Sequence, residues 1–262
     1  MKQFETLSLQ TSGSALVLTI NQPASMNALS LQVVSDLEAF LDWFDATGFE
    51  YRGVVITGAG EKAFVAGANI VQMNSMDADA ALAYGQRMHR VTQRLEALQV
   101  PVVAAVNGFA LGGGCELALA CDFIYASDTA SFGQPEVNLG LVPGFGGSVR
   151  LPRRVGPAMA RELIFTGRRI SADEALRIGL ANRLLPAGQL LDAAVAVIGE
   201  AARVAPTAVA NAKRAMAAMD GLDTKKALEV EAQSFRQAFG TADSVEGRAA
   251  FVEKRRPDFP GK

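Results

Sequence analysis

Gly108-Phe109-Ala110-Leu111-Gly112-Gly113-Gly114-Cys115-Glu116 is the stretch on which the reading turns, and a second acidic residue, Glu136, stands twenty positions further on. Three consecutive glycines leave backbone N–H groups unshielded by side chains. An apolar run carrying one carboxylate follows at once, and a carboxylate in such surroundings is costly unless it is paired, hydrogen-bonded or used. The combination describes an anion pocket made of backbone, with two glutamates at hand to move protons. Upstream, Pro101-Val102-Val103-Ala104-Ala105-Val106 has the continuous apolar character of a strand buried on both faces. Downstream, residues 115–121 read as a helix and Phe123-Ile124-Tyr125-Ala126 as a short strand.

Working outward, the chain alternates strands and helices. Residues 4–10 and 15–20 read as strands around the Ser12-Gly13-Ser14 turn. A helix begins at Asn27 or Ser30 and runs to about Phe44, with Leu31, Val34, Leu37 and Leu41 on one stripe. Gly53-Val54-Val55-Ile56-Thr57 is another buried strand, ended by Gly58 and followed by a glycine-containing loop from Ala63 to Ile70. Residues 78–99 form a long amphipathic helix with Leu82, Met88, Val91, Leu95 and Leu98 spaced for one face. The unit "apolar strand, glycine turn, glycine-rich loop, helix" thus occurs twice, about fifty residues apart, in grammar and not in side-chain identity. From about residue 188, alanine-rich helical patterns take over at 189–203, 206–219, 222–239 and 243–254. The expected architecture is α/β, with a core over 1–190 and a helical region over 191–262.

Composition narrows the function. Half of the 262 residues are apolar and 20% are charged, which describes a well-cored globular chain. A net charge of −2 and a pI near 5.6 give no reason to expect nucleic acid or an anionic membrane as partner. Cys115 and Cys121 have no metal-site or CxxC spacing and read as buried reduced thiols of a cytoplasmic protein. Met1-Lys2-Gln3-Phe4-Glu5 holds no apolar signal core. The apolar segment from Val100 to Ala126 is interrupted by Asn107, Glu116, Asp122 and the glycine cluster, so it reads as strand, turn and helix.

A carbonyl that becomes an enolate gathers negative charge on oxygen, and preorganised N–H donors aimed at that oxygen lower the barrier. Glycines at a helix start supply such donors in the field of the helix dipole. Gly113 fits that role, and Ala66-Gly67-Ala68-Asn69 in the earlier loop offers a second donor. Taken alone, the glycine triplet fits a tight turn or close packing equally well. The triplet lacks the spacing of a dinucleotide-binding loop, and Gly144-Phe145-Gly146-Gly147-Ser148 lacks the lysine of a P-loop. Glu116 and Glu136 are the acid–base candidates: two carboxylates in different surroundings tune apart, which suits addition or removal of water. His89, the single histidine, lies beside a helix stripe, which removes Ser-His-Asp catalysis. Eight arginines between Arg150 and Arg183 read as a solvated or interface surface, with contacts to a phosphate-bearing ligand as the other reading.

The chain resembles the enoyl-CoA hydratase/isomerase (crotonase) family, most of all its short-chain hydratases. The matching segments are Asn27-Ala28-Leu29, Ala63 to Ile70, Ala104 to Glu116, Phe132 to Gly147 and Gly247 to Phe259. The resemblance implies a crotonase-like spiral of ββα units with a helical C-terminal trimerisation region, assembled as a homotrimer or a dimer of trimers. It implies an acyl-CoA thioester as substrate, no cofactor, no metal, and fatty-acid chemistry of the β-oxidation type. By position, the oxyanion hole would be the backbone N–H groups of Ala68 and Gly113. Ala66, Ala68, Asn69 and Ile70 would grip CoA largely through backbone, with Ala28 near the nucleotide. Phe251 and Lys254 match positions that contact CoA, in some relatives from a neighbouring subunit. Glu116 and Glu136 match both catalytic glutamates of the hydratases, whereas relatives that only shift a double bond usually keep the second. Where the family often has Asp after Ala-Gly-Ala, this chain has Asn69; a charge is lost there and a backbone contact is not. The acyl group would run between segments 73–84 and 138–145. The competing readings are an isomerase or other acyl-CoA lyase of the same fold, and a non-catalytic relative that binds RNA or CoA.

Overall fold

The computed structural model describes residues 2–262. Among these, the strands are β1 (Leu7–Ser12), β2 (Ala15–Ile20), β3 (Gly53–Gly58), β4 (Ala63–Val65), β5 (Val102–Val106), β6 (Phe109–Leu111), β7 (Phe123–Ser127), β8 (Ser131–Gly133), β9 (Arg169–Ser171) and β10 (Arg183–Leu185). The helices are α1 (Leu31–Asp45), α2 (Ile70–Met73), α3 (Ala78–Ala97), α4 (Gly113–Leu119), α5 (Gly147–Val155), α6 (Pro157–Thr166), α7 (Ala172–Arg177), α8 (Leu190–Ala201), α9 (Pro206–Met219), α10 (Thr224–Phe239) and α11 (Ala242–Glu253). A six-stranded sheet has the order β1-β2-β3-β5-β7-β10 and a four-stranded sheet the order β4-β6-β8-β9. The β1–β2 hairpin and the β8–β9 pair are antiparallel; the other pairs are parallel.

The two sheets are built by one repeated move. β3, β5 and β7 lie in the large sheet, and the chain turns from each at once into β4, β6 and β8 of the small one before entering a helix. The result is three ββα turns of a spiral where the sequence pattern shows two. The stretches expected to be glycine-rich loops hold the short second strands β4 and β6. Three-residue strands are too short to register a period of two, so only their glycines stood out.

The core lies between the sheets and α1, α3 and α4, and includes Phe40, Phe64, Met88, Leu95 and Phe132, all fully buried. The outer face of the large sheet, Val17, Val55, Val103 and Tyr125, is covered by Leu190, Ala194 and Ile198 of α8. Ser30 caps α1 by accepting the Val33 N–H at 3.1 Å, and Asp77 caps α3 by accepting the Ala80 N–H at 2.8 Å. Asn27, expected as a helix start, instead has φ of +58° and is wholly buried. Its amide ties Gln22, Ala59 and Ala63 together by three hydrogen bonds.

Two helix faces differ from expectation. Leu82 is 59% exposed, because the buried stripe of α3 runs through Tyr84, Met88, Val91 and Leu95 and Leu82 lies off it. Leu31 likewise faces out, while Val33, Phe40 and Phe44 face in. α4 begins at Gly113, two residues before the expected start, so the second and third glycines form its first turn. Its Gly114 passes so close to the Val65 carbonyl that a Cβ there would collide with it. Among the described residues, no single helix is long and apolar enough to cross a membrane.

Candidate active site

The turn after β8 and the start of α4 meet the loop after β4 at one cleft of about 150 Å³. Its lining includes Ala66, Gly67, Ala68, Ile70, Gly113, Glu116 and Glu136. Each is a residue that the sequence singled out, brought together from three separate turns of the spiral. Of the expected acyl walls, Met73, Leu139, Leu141, Val142 and Phe145 line the cleft; between 73 and 84 only Met73 does. Ala28, Phe251 and Lys254 do not line it. Phe251 is 85% exposed at the end of α11, and Lys254 closes that helix in a left-handed conformation.

Ala68 and Gly113 line the cleft, and local bonding fixes the backbone around each of them. A parallel bridge joins Leu29 to Ala68: the Leu29 N–H donates to the Gly67 carbonyl at 2.8 Å and the Asn69 N–H donates to the Leu29 carbonyl at 3.1 Å. That bridge uses the peptide groups on either side of Ala68 and turns the N–H of Ala68 itself away from Leu29. Asn69 caps α2 by accepting the Gln72 N–H at 3.1 Å, a task an aspartate would do equally. Gly113 is the first residue of α4, so its N–H has no partner within the helix. Gly112 is held by its N–H to the Gly133 carbonyl at 2.9 Å, which fixes where α4 starts.

Glu116 is 1% exposed and its Oε1 accepts two backbone N–H groups, from Phe145 at 2.8 Å and Gly147 at 2.7 Å. Burial raises its affinity for a proton above that of an ordinary carboxyl, while these two bonds and the charge of Arg150 act in the opposite sense. Glu136 sits in a 3₁₀ turn over Pro135–Leu139 and is half-buried. Burial first, and the charge of Glu116 second, push its pKa up to about 7. The buried Gln134 amide, oriented to donate, reaches its Oε1 at 2.8 Å and Oε2 at 3.2 Å. The glycines make room for both acids. A Cβ on Gly112 would stand 3.0 Å from Glu136 Oε1, and one on Gly147 would stand 3.0 Å from Glu116 Oε1 and 2.7 Å from the end of the Gln134 amide turned away from Glu136. The charge of Glu116 favours the protonated form of Glu136.

Phe145, Gly147, Gln134 and Tyr84 complete the surroundings; the sequence placed Phe145 and Tyr84 within the expected acyl walls and gave none of the four a part in holding the acids. Gln134 stands two residues before Glu136 and was within reach of a local reading. The other three act through backbone N–H groups or across the fold, which no local pattern announces. The arginines expected as a surface are largely engaged there. Arg150 pairs with Glu96, Arg153 with Asp220, and Arg168 with Glu162 and Glu174. Cys115 and Cys121 are free and buried. Among the described residues, no group of three or more His, Cys, Asp or Glu is placed to hold a metal ion.

This spiral is shared with known proteins. The chain belongs to the enoyl-CoA hydratase/isomerase family, whose model matches residues 10–262. It is 44% identical over 248 residues, 95% of each chain, to the short-chain-enoyl-CoA hydratase of Clostridium acetobutylicum. It is also 44% identical over 262 residues, 99% of each chain, to the crotonyl-CoA hydratase of Syntrophomonas wolfei. The crystal structure of enoyl-CoA hydratase from Bacillus anthracis superposes with a TM-score of 0.94 at 37% identity, covering 98% of this chain and all of the other. The fold is therefore the crotonase-like spiral.

Proposed function

We propose that this chain is an enoyl-CoA hydratase that adds water reversibly, on one face, to a trans-2-enoyl-CoA and yields the 3-hydroxyacyl-CoA, with no cofactor beyond the thioester substrate. The observation that carries this reading is the meeting of Glu116 and Glu136 in the cleft that Ala68 and Gly113 line. The thioester carbonyl binds between the Ala68 and Gly113 N–H groups, which hold the enolate-like charge as it develops. Glu116 takes a proton from the water as its oxygen bonds to the β-carbon, and Glu136 delivers a proton to the α-carbon. The hydrogen bonds to Glu116 support its role as the ionised base, and the raised pKa of Glu136 supports its role as the acid.

The backbone of Ala66, Ala68, Asn69 and Ile70 grips the CoA, with Ala28 nearer the nucleotide. Short acyl groups fit a cleft of about 150 Å³ walled by Phe145 and Leu139. Residues 191–262 act in assembly as a trimer or dimer of trimers. In support, α10 buries none of its residues within one chain, and Leu228, Phe235 and Phe239 on it are exposed. Phe251 and Lys254 would then reach CoA from a neighbouring copy. The free, buried thiols fit a reducing cytoplasm.

Hydration of crotonyl-CoA tests the reading. Glu116→Gln and Glu136→Gln should each lower turnover by about 10²–10⁴-fold, the range a positioned acid or base supplies, and still bind CoA esters. Near-normal turnover in either variant removes that glutamate from the mechanism. Conversion of a 3-enoyl-CoA faster than hydration of the 2-enoyl-CoA would make the chain an isomerase.

A further inference from the structure

Glu116 is held by a loop, and the loop is held from its far side. The Phe145 and Gly147 N–H groups grip the carboxylate, as above. The Phe145 carbonyl, the other end of the same residue, accepts a hydrogen bond from Arg150 Nη1 at 3.1 Å. The remaining edge of that guanidinium is committed to Glu96: Nε donates to Oε1 at 2.7 Å and Nη2 to Oε2 at 2.6 Å. Glu96 belongs to the last turn of α3, which packs in the core. The loop is shaped around the arginine, since Gly146 has φ of +112° and a Cβ there would strike the guanidinium. A fork with two of its nitrogens on one carboxylate and a third on a carbonyl has little freedom left.

We propose that Arg150, anchored by Glu96, is a positioning residue for Glu116: it clamps the Phe145–Gly147 loop so that both N–H groups aim at one carboxylate oxygen, and it sets a positive charge behind that carboxylate. The proposal rests on Glu116 being the base of the hydratase reading. The titratable groups that face Glu116 are Cys115 on its own helix, Glu136 from the turn after β8, Tyr84 from α3 and Arg150 from α5. Arg150 is the cation among them. Glu136 and Tyr84 carry no charge that would help Glu116 lose its proton, so the arginine and the two N–H groups oppose the effect of burial.

The test is steady-state hydration of crotonyl-CoA over a range of pH by Arg150→Gln, Arg150→Lys, Glu96→Gln, Glu116→Gln and the Arg150→Gln/Glu116→Gln pair. Arg150→Gln should lower kcat about 10²-fold, the cost of a misplaced group, with a smaller change in KM. Its acidic limb should move to higher pH, because a base deprived of its cation keeps its proton longer. Arg150→Lys restores the charge and not the fork, so the limb should return towards the parent while kcat stays low. Glu96→Gln, at a partly exposed side chain, should shift both readings the same way by less, and it keeps the test alive if Arg150→Gln does not fold. In the Glu116→Gln background the arginine change should cost little more, because the two act as one unit. An unmoved acidic limb with kcat within about twofold of the parent overturns the clamp, and so does full additivity in the double variant. Near-normal turnover in Glu116→Gln overturns the base assignment itself, a different result from a dead Glu116→Gln beside an unaffected Arg150→Gln.

Discussion

The phenolic hydroxyl of Tyr84 donates its hydrogen bond to the main-chain carbonyl of Leu29, joining the middle of α3 to the segment that splints Ala68. The same carbonyl accepts the Asn69 N–H, and the Tyr84 ring meets Phe145 edge-on with centroids 5.1 Å apart. One buried side chain therefore touches both the donor loop and the loop that grips Glu116. Tyr84→Phe keeps the ring and removes only the donor. It should cost about 1–2 kcal/mol of stability, the ordinary worth of a buried hydrogen bond, measurable by urea unfolding. It should lower kcat about tenfold, with KM changing less, because a displaced oxyanion donor is felt most in the transition state.

Gly147 sets stability against activity. It lies in the first turn of α5, where alanine is the better helix former by about 1 kcal/mol. A Cβ there meets Glu116, the proposed base, and Gln134, which holds Glu136. Gly147→Ala should leave the melting temperature near the parent's or above it and lower kcat about 10²-fold through displaced carboxyls. Calorimetry beside crotonyl-CoA kinetics reads both. A fall in both together would place the glycine in the fold and not in the site.

What the residues disclosed in advance follows from the range of each interaction. The large-sheet strands at 53–58 and 102–106 announce themselves because both faces are buried and every side chain is apolar. β4, β6 and β8 carry three residues each and leave no period to detect. Glu116 stood out as an acid in an apolar run, and Glu136 as a second carboxylate twenty positions on. Their supports did not: the Phe145 and Gly147 N–H groups are main-chain atoms that no side-chain pattern announces, and Glu96 meets Arg150 across 54 positions of sequence. Asn27 and Ser30 were the two expected helix starts because both residue types favour caps; Ser30 caps α1, and the left-handed backbone of Asn27 serves a three-way tie.

The raised pKa of Glu136 predicts opposite pH effects on rate and on stability of the Gln variant. As the proton donor in hydration, Glu136 must be protonated, so kcat should fall as pH rises through about 7. For stability, the folded value lies above the ordinary 4.5, so between those two values the folded state binds more protons than the unfolded. Stability contributed by this group is full below 4.5 and is lost as pH rises through about 7. Glu136→Gln, which cannot ionise, should therefore melt higher than the parent at pH 8, with the gain vanishing on the acid side of 4.5. A gain that stayed constant with pH would mean that Glu136 is not the group being titrated.

Acyl length is the next consequence of the cleft. Its walls include the apolar side chains of Met73, Leu139, Leu141, Val142 and Phe145, of which Phe145 is buried and Leu139, Leu141 and Val142 are exposed. Each methylene accommodated would add about 0.8 kcal/mol of binding, so a tunnel with free length would show kcat/KM climbing with chain length. With about 150 Å³ available, kcat/KM should instead be greatest for crotonyl-CoA and fall steadily towards the sixteen-carbon substrate. A profile across even chain lengths decides it, and a plateau beyond eight carbons would mean that the Met73–Asp79 segment yields to the substrate.

α10 offers the sharpest test of assembly, because a single chain leaves its Leu228, Phe235 and Phe239 exposed. Phe235 is 68% exposed and Leu228 57%, on a helix of sixteen residues with none buried. Exposed side chains of that size rarely stand together on a lone molecule. Leu228→Asp with Phe235→Asp leaves the intrachain core untouched and places charge where a second copy would have to desolvate it. In light scattering the parent should have a mass that is a multiple of 27.6 kDa, and the double variant should shift towards 27.6 kDa itself. If Phe251 and Lys254 serve the CoA of a neighbouring copy, the separated chains should also show a raised KM for crotonyl-CoA with kcat less affected, since the glutamates and backbone donors all lie within one chain. A parent that is already a monomer at 27.6 kDa removes the assembly role from residues 191–262 and leaves Phe251 and Lys254 without a CoA to reach.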